Sequence, residues 1–235
     1  MKKTAFLIAS ICFTMATFSQ SIQKMAENIQ WLGQATVRIQ NGESIVYIDP
    51  YQIEKPEKAD IILISHAHSD HFSPKDIAML CGENTIIVFP TSMDDTAKTL
   101  KIPYVLAKPY EISEIKSIQI EPVPAYNVVK DNFHPKSNQW LGYIITIDNV
   151  RIYHTGDTER IPEMKTIRAD IVLIPLGQTY TMNSVNEAAA CVEDVGAKIA
   201  IPIHYGLYEG TNEDALKFKE LLKGKVDVMV KNLIK

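Results

Sequence analysis

Three of the six histidines of the chain lie within six consecutive residues, His66-Ala67-His68-Ser69-Asp70-His71, directly after the apolar run of residues 60–64. The run is typical of a strand that is buried on both faces, and loops that follow such strands often carry binding residues. In an extended segment, residues two apart project to the same side, so His66, His68 and Asp70 face one point and a turn brings His71 round. Imidazole and carboxylate groups together suit zinc, and also manganese or iron. The stretch therefore predicts a site for one or two metal ions. The alternative is a hydrophilic loop whose histidines bind nothing.

Strand and turn signals alternate along the rest of the chain. Asn41-Gly42 and Asp148-Asn149 each separate two short apolar segments, which predicts two hairpins over residues 35–48 and 143–154. Ser73 followed by Pro74 marks the start of a helix. Helices are also predicted for residues 91–100, 184–195 and 213–223, and further strands for residues 28–32, 85–89, 115–123, 170–174, 198–203 and 226–230. Strands interleaved with helices predict an α/β protein with two sheets packed face to face and helices outside.

Two short segments of the chain resemble each other. Residues 58–64 read KADIILI and residues 168–174 read RADIVLI. Two unrelated buried strands can look alike by chance. Otherwise, the similarity indicates two related β-rich halves, each with a strand that ends in a functional loop.

The N-terminus has the pattern of an export signal. Met1-Lys2-Lys3 is basic, residues 4–18 are mostly apolar, and small residues around Thr17 and Ser19 suit a cut before Gln20. A membrane anchor or a buried helix is the alternative, although the apolar run is short for a bilayer span. We therefore expect residues 1–19 to be a cleaved signal peptide, residues 20–235 to form a single domain, and the mature protein to be periplasmic or secreted.

Charge argues against a nucleic-acid partner. Without residues 1–19 the chain keeps 22 of its 24 basic residues against 28 acidic ones, a net charge of about −6, whereas phosphate binding needs a positive field. A small-molecule substrate is therefore expected, with no integral membrane segment after cleavage. Cys81 and Cys191 remain in the mature chain, either as a disulfide or, as we favour, as two separate buried thiols.

Four motifs in order resemble the metallo-β-lactamase superfamily, and the resemblance spans almost the whole mature chain. They are the His66–His71 stretch, Ile48-Asp49-Pro50, Thr155-Gly156-Asp157-Thr158 and Ile203-His204-Tyr205-Gly206. The resemblance implies a four-layer αββα sandwich with the metal site at the edge of the two sheets. It also implies that His66 and His68 bind a first metal, that Asp70, His71 and His204 bind a second, and that Asp157 bridges both.

The chain departs from the family pattern at one ligand. The first metal usually has a third histidine, and related hydrolases carry Ala-Trp-His where this chain has Ala125-Tyr126-Asn127. We expect His134 to supply the missing ligand or to face the substrate. The alternatives are Asn127 as a weak ligand, a single-metal site at the second position, or a surface role for His134.

Several residues near these motifs have less specific roles. His154 and Asp49, each at the end of a strand, are expected to support the site rather than to bind metal. A further group in two loops could line a substrate pocket: Tyr180, Thr181, Met182, Asn183, Tyr205 and Tyr208.

The resemblance implies a metal-dependent hydrolase in which metal-bound hydroxide attacks a small ester, lactone or phosphodiester, with zinc, manganese or iron as cofactor. The similar enzymes include ascorbate 6-phosphate lactonases and the phospholipase D that cleaves N-acyl phosphatidylethanolamines. Asp70, Asp157 and His134 are the catalytic candidates, with Asp70 also placed to transfer a proton. The alternatives are a non-catalytic metal- or ligand-binding protein of the cell envelope and a β-lactamase.

Overall fold

A computed structural model describes residues 17–234. It contains two sheets, and in each sheet the strands are neighbours in the order in which they occur in the chain. The first sheet contains β1 (Ile29–Gly33), β2 (Thr36–Asn41), β3 (Ser44–Ile48), β4 (Ala59–Leu63), β5 (Cys81–Pro90) and β6 (Tyr104–Ala107). The second contains β7 (Ser113–Ile115), β8 (Ile118–Pro124), β9 (Leu141–Ile147), β10 (Val150–His154), β11 (Ile171–Pro175), β12 (Ile199–Ile203) and β13 (Asp227–Val228).

Both sheets change from antiparallel to parallel pairing after a hairpin. In the first, β1 to β3 pair antiparallel and β3 to β6 pair parallel. In the second, β7 to β10 pair antiparallel and β10 to β13 pair parallel. The similar segments 58–64 and 168–174 therefore cover β4 and β11, which hold equivalent positions. The carboxyl ends of parallel strands meet at one edge of a sheet, and this edge carries the loops described below.

Helices lie between the strands in sequence. They are α1 (residues 17–28), α2 (Pro74–Leu80), α3 (Asp94–Leu100), α4 (Val185–Val195) and α5 (Asn212–Leu222), with 3₁₀ turns at Thr91–Met93, Lys136–Asn138 and Pro162–Lys165. Ser73 caps α2 by accepting a hydrogen bond from the Asp76 backbone N–H, as the Ser-Pro signal predicts. Ser184 caps α4 in the same way, and α4 ends at Gly196, which takes the left-handed conformation (φ 73°).

Alternation along the central strands builds two apolar layers. Ile61 and Leu63 of β4 point into the core between the sheets, whereas Ile62 packs on the opposite face among side chains of α2 and α3 such as Ile77. The core between the sheets continues to α4 and α5, which bury Val192 and Phe218. The order of layers is helices, sheet, sheet, helices, which confirms the αββα sandwich.

The structure differs from the sequence-based elements in several places, which include α1 beyond residue 19 and the start of β5 at Cys81 instead of residue 85. Residues 115–123 form two strands instead of one, because Lys116 and Ser117 both have positive φ (50° and 63°) and make a turn. Strand β6 was not predicted, and β13 is shorter than the predicted 226–230. Cys81 and Cys191 are both free thiols, which confirms that they are separate, but only Cys191 is buried, so the predicted burial is wrong for Cys81.

The predicted signal peptide lies mostly outside the described residues. Of residues 1–19, only 17–19 are described, and they are the first described residues of α1, which buries Ile22, Met25 and Ala26. Export and cleavage before Gln20 therefore stay predictions. None of the helices within residues 17–234 has the length and apolarity to cross a lipid bilayer.

Candidate metal centre

The predicted site residues meet at the edge where the parallel strands end. Asp49 follows β3, the His66–His71 loop follows β4, Asp157 comes three residues after β10, and His204 directly follows β12. His134 lies in the long connection between β8 and β9. The two sheets are joined here, since the His204 backbone N–H donates to the Gln34 carbonyl in the β1–β2 turn (2.8 Å).

Asp157 is the centre of the cluster. Its Oδ2 lies 3.1 Å from His204 Nε2, 3.2 Å from His71 Nε2, 3.3 Å from His134 Nε2 and 3.9 Å from His66 Nε2. The side chain is 4% exposed. One carboxylate oxygen thus faces four imidazole nitrogens that come from both sheets.

Two groups of three side chains could each hold a metal ion around this carboxylate. In each group the ligand atoms lie within 4.8 Å of one another. One group is His66, His68 and His134, and the other is Asp70, His71 and His204. The same distance criterion also groups Asp49 with His66 and His71. The structure therefore brings together all seven residues that the sequence proposed as ligands, with His134 beside His66 and His68.

Asn127, the alternative third ligand, supports the loop that carries His134. Its side-chain amide donates to the carbonyl oxygens of Lys130 (3.1 Å) and Tyr180 (2.7 Å). Its backbone N–H donates to the His134 carbonyl (2.8 Å). These bonds occupy the amide nitrogen of Asn127 in holding two loops together.

Several buried atoms of the cluster lack a hydrogen-bond partner. They include His71 Nε2, His134 Nε2 and Asp157 Oδ1. Buried polar atoms in folded proteins are nearly always paired, and an unpaired one is costly. Nitrogen and carboxylate donors that converge without protein partners fit a divalent ion such as zinc, manganese or iron. The donor set is therefore compatible with metal binding.

The charges of the cluster favour a cation. Burial would raise the pKa of Asp157, but His204 and His71 hold it well below its usual range. Burial opposes protonation of His204, but Asp157 and Glu209 outweigh it and raise the pKa of His204 to about 9. Burial lowers the pKa of His66, and its histidine neighbours lower it further. An ionised carboxylate thus lies in the middle of the imidazoles, and a metal ion that binds His204 must displace its proton.

Asp49 orients His71, as the sequence predicts for this residue. Its Oδ2 lies 2.9 Å from His71 Nδ1 and accepts a hydrogen bond from Ser65 Oγ (2.5 Å), while its Oδ1 accepts from the Ser65 backbone N–H (2.7 Å). Asp49 is fully buried. With Nδ1 held, Nε2 of His71 is the nitrogen that faces Asp157.

Glu209 plays the same part for His204 and also holds a loop. Its Oε1 lies 2.9 Å from His204 Nδ1, and its Oε2 accepts hydrogen bonds from the backbone N–H groups of Thr179 (2.9 Å) and Tyr180 (2.7 Å). Gly177 leaves the space for this carboxylate, since a Cβ at position 177 would overlap it. Glu209 therefore couples His204 to the loop after β11.

Glu159 and Trp140 support the other half of the cluster. The buried Glu159 carboxylate accepts from the backbone N–H groups of Val128 (2.7 Å), Val129 (2.6 Å) and Lys130 (3.0 Å), which fixes the start of the loop to His134. The Trp140 ring packs against three imidazoles, with centroids 4.7 Å from His66, 4.9 Å from His68 and 5.5 Å from His134.

Sequence reasoning missed these supporting residues. Gln34, Ser65, Trp140, Glu159 and Glu209 are far from the ligands in sequence or belong to common types, so no spacing singles them out. His154 has the expected packing role: it is buried, its Nε2 lies 2.9 Å from the Ala35 carbonyl oxygen, and its Nδ1 accepts from the Gly156 backbone N–H (3.2 Å).

A cavity of about 330 Å³ opens onto the cluster. It is lined by residues of six loops: Gln34, His68, Ser69, Asp70, Phe133, His134, Asp157, Tyr180, His204 and Tyr208. Of the loop residues proposed to line a pocket, Tyr180 and Tyr208 do so. The prediction is wrong for the other four: Thr181, Met182 and Tyr205 are buried in the protein, with Tyr205 stacked on Trp31, and Asn183 is exposed and donates to Glu187 Oε1 (3.2 Å).

An αββα sandwich with a His/Asp cluster at the sheet edge defines a class of metal-binding proteins with the metallo-β-lactamase fold, and comparisons with known proteins give the family. The family profile described as "Beta-lactamase superfamily domain" matches residues 28–204. A UPF0173 protein of Pyrococcus abyssi is 34% identical over 87% of this chain and 95% of its own length. A UPF0173 metal-dependent hydrolase of Pyrococcus horikoshii is 30% identical over 86% of this chain and 95% of its own.

Solved structures agree with this assignment. A proposed metal-dependent hydrolase from Parabacteroides distasonis is 34% identical, with a TM-score of 0.77 over 88% of this chain and 93% of its own. Igni18, a metallo hydrolase from Ignicoccus hospitalis, shares the fold at 20% identity, with a TM-score of 0.74 over 88% of this chain and 95% of its own. The chain belongs to the β-lactamase superfamily, in its UPF0173 group, and is a metal-dependent hydrolase.

Proposed function

We propose that this hydrolase binds two divalent metal ions and cleaves a small ester, lactone or phosphodiester. The observation that carries the proposal is the position of Asp157 Oδ2, within 3.9 Å of four imidazole nitrogens that divide into two ligand groups. A carboxylate in this place is suited to bridge two ions.

The proposed ligand sets follow the two groups. His66, His68 and His134 hold one ion, Asp70, His71 and His204 hold the other, and Asp157 contributes to both. When bound, the ions would supply an activated water molecule and would polarise the bond that is cut. Zinc is the metal we propose, because imidazole nitrogen is its usual ligand in catalytic sites.

Asp70 is placed to transfer the proton of the attacking water molecule to the leaving group. Its side chain is 22% exposed and lines the cavity, and its Oδ2 accepts a hydrogen bond from Gln34 Nε2 (2.9 Å). In hydrolysis, the water oxygen bonds to the carbonyl carbon or the phosphorus, and the bond to the leaving oxygen breaks. Asp70 takes the proton that the water loses, at Oδ1, and returns it to the leaving oxygen, so that the step balances.

Export is part of the proposal. Its support is the N-terminal pattern of residues 1–19, with two lysines, an apolar run and small residues before Gln20. N-terminal sequencing of the protein recovered from cell fractions tests it. A mature chain in the periplasm or medium that begins at or near Gln20 is expected, and an uncleaved chain in the cytoplasm would contradict it.

The function is tested by metal analysis combined with turnover. The purified protein, His134→Ala, Asp157→Asn and the control Asp95→Asn, whose carboxylate is fully exposed, are assayed for metal per chain. Each is then assayed on an aryl ester, a lactone and bis(4-nitrophenyl) phosphate, before and after chelation.

We expect two metals in the wild type and in Asp95→Asn, about one in His134→Ala, and loss of hydrolysis in Asp157→Asn and after chelation. Two metals in both the wild type and His134→Ala would indicate that His134 faces the substrate and does not bind metal. Metal uptake without turnover of any substrate would favour the non-catalytic binding protein.

A further inference from the structure

The cavity at the cluster has an aromatic wall. Phe133 and Tyr180 meet edge to face, with ring centroids 5.0 Å apart and planes at 88°, and Tyr208 lies on the same cavity. The Tyr208 hydroxyl is 2.6 Å from that of Tyr51, which ties the Tyr208 side chain to the loop after β3. Rings fixed in this way offer apolar and π surface to a bound molecule.

Cationic side chains are missing from this lining. Of residues 17–234, no lysine or arginine lines the cavity. Lys130, in the loop that leads to His134, donates instead to the carbonyl oxygens of Gln178 (3.1 Å) and Met182 (2.9 Å). The backbone N–H groups of Thr179 and Tyr180 donate to Glu209 and are therefore not free to bind an anion.

Basic residues gather elsewhere, on a larger open depression of about 650 Å³ whose lining includes none of the proposed ligands. Two of the three basic residues there are paired: Lys136 Nζ lies 3.0 Å from Glu163 Oε1, and Arg160 Nε lies 2.7 Å from Asp194 Oδ2. Apart from the proposed metal ligands, none of the described residues on the cavity wall carries a formal charge. A substrate with an anionic group away from the reacting bond would have no fixed cation to bind it.

From these observations we propose that the substrate is an uncharged carboxylic ester or lactone with an aromatic or similarly flat apolar portion, bound against Phe133, Tyr180 and Tyr208. The inference rests on the proposed function and narrows its substrate class, setting phosphodiesters aside. The cavity volume lies near the lower end of small-molecule sites, roughly 300–1,000 Å³, which suits a compound of one or two rings. Hydrolysis adds one water across the acyl–oxygen bond and yields a carboxylic acid and an alcohol, or a hydroxy acid from a lactone.

The test uses substrates of similar shape that differ in charge. The metal-loaded full chain is assayed on 4-methylphenyl acetate and on 4-acetoxybenzoate, which carries a carboxylate in place of the methyl group and an equally good or better leaving group. Binding of the amide analogues, 4-acetamidotoluene and 4-acetamidobenzoate, is measured by calorimetry with and without metal, so that affinity is read independently of turnover.

Two lysine variants sharpen the comparison. Tyr180→Lys places a cation on the cavity wall, whereas Tyr110→Lys places one at a tyrosine that is 59% exposed and does not line this cavity. Metal content is measured in both, so that an effect on the cluster is separated from an effect on the wall.

We expect the wild type and Tyr110→Lys to prefer the neutral ester by at least about tenfold in kcat/KM and to bind the neutral amide more tightly. In Tyr180→Lys this preference should fall several-fold with metal content unchanged. Equal or better turnover and binding of the anionic partners by the wild type would overturn the inference while leaving the hydrolase proposal standing. Failure to hydrolyse any ester, lactone or phosphodiester would overturn the proposed function, and the binding measurements would still decide the preference of the cavity.

Discussion

Trp140 is the residue whose surroundings report most directly on the cluster, because its indole packs against His66, His68 and His134. The chain has one other tryptophan, Trp31, which stacks on Tyr205 and donates to the Gln34 carbonyl. We predict that adding metal to the chelated protein changes the tryptophan emission. Most of the change should be lost in Trp140→Phe and kept in Trp31→Phe. An equal response in both variants would show that metal does not bind beside Trp140.

Glu209 should control metal affinity without being a ligand. Its carboxylate lies 2.9 Å from His204 Nδ1 and holds the backbone of Thr179 and Tyr180. Loss of such outer partners typically weakens metal affinity by about 10–100-fold, and we predict an effect of this size for Glu209→Gln. Competition titration with a chromophoric chelator measures it, with the exposed Glu220→Gln as the control. Unchanged affinity in Glu209→Gln would mean that the geometry of His204 does not depend on this carboxylate.

At the scale of residues, the sequence could name the candidate ligands but not their partners. His66, His68, Asp70 and His71 are recognisable because metal-ligand types cluster after a buried strand. Glu209 and Trp140 are recognisable only in three dimensions, since each reaches the cluster through the fold and not through spacing. That the named residues bind metal stays a prediction until the metal is measured.

The loop from β8 to β9 depends on Glu159 for its shape. Three backbone N–H groups, from Val128 to Lys130, donate to this buried carboxylate. Hydrogen bonds to a charged group contribute about 1.5–3 kcal/mol each, and their losses at one site are not additive. We predict that Glu159→Gln lowers the free energy of unfolding by about 1–3 kcal/mol and reduces metal content through His134.

Denaturant unfolding of the metal-free protein separates the two effects of that substitution. Asp131→Asn, an exposed change in the same loop, is the matched control and should leave both quantities unchanged. Full metal content in Glu159→Gln, despite the lost stability, would show that His134 reaches the cluster without this support.

Most strands were predictable because their apolar pattern and their flanking turn residues are visible in the local sequence. The strands that were predicted wrongly lack such local signals. The hairpin at Asp148-Asn149 forms as expected, with both residues at positive φ (49° and 63°). The turn at Lys116-Ser117 uses the same backbone region with residues that rarely adopt it, so nothing in the sequence breaks the alternation of residues 115–123. Strand β6 was not predicted because most of its positions are exposed or half-buried, and its position in the sheet depends on pairing with β5.

At the scale of the whole molecule, the proposed ligands divide between the two sheets. His66 to His71 follow β4 of the first sheet, whereas His134, Asp157 and His204 belong to connections of the second. A bound ion would therefore join the sheets, and a ligand that binds only the folded state stabilises it by about 2.7 kcal/mol at 100 times its Kd. We predict a clear fall in Tm on chelation, restored by metal.

Thermal unfolding with and without chelator measures this linkage. Asp157→Asn should show a much smaller difference, because the central carboxylate is gone. If the wild type and Asp157→Asn unfold at temperatures that respond equally to chelator, the stabilising ion does not bind at this cluster.

The equivalent positions of β4 and β11 have a consequence for how this protein can evolve. The loop after β4 carries proposed metal ligands, whereas the loop after β11 carries Tyr180 on the cavity wall. The two loops in equivalent positions thus have different proposed roles, since the first would hold the metal and the second would contact the substrate. Side-chain replacements at Tyr180 leave the backbone bond to Glu209 in place, so selection can change the molecules this hydrolase accepts while its inherited reaction stays the same.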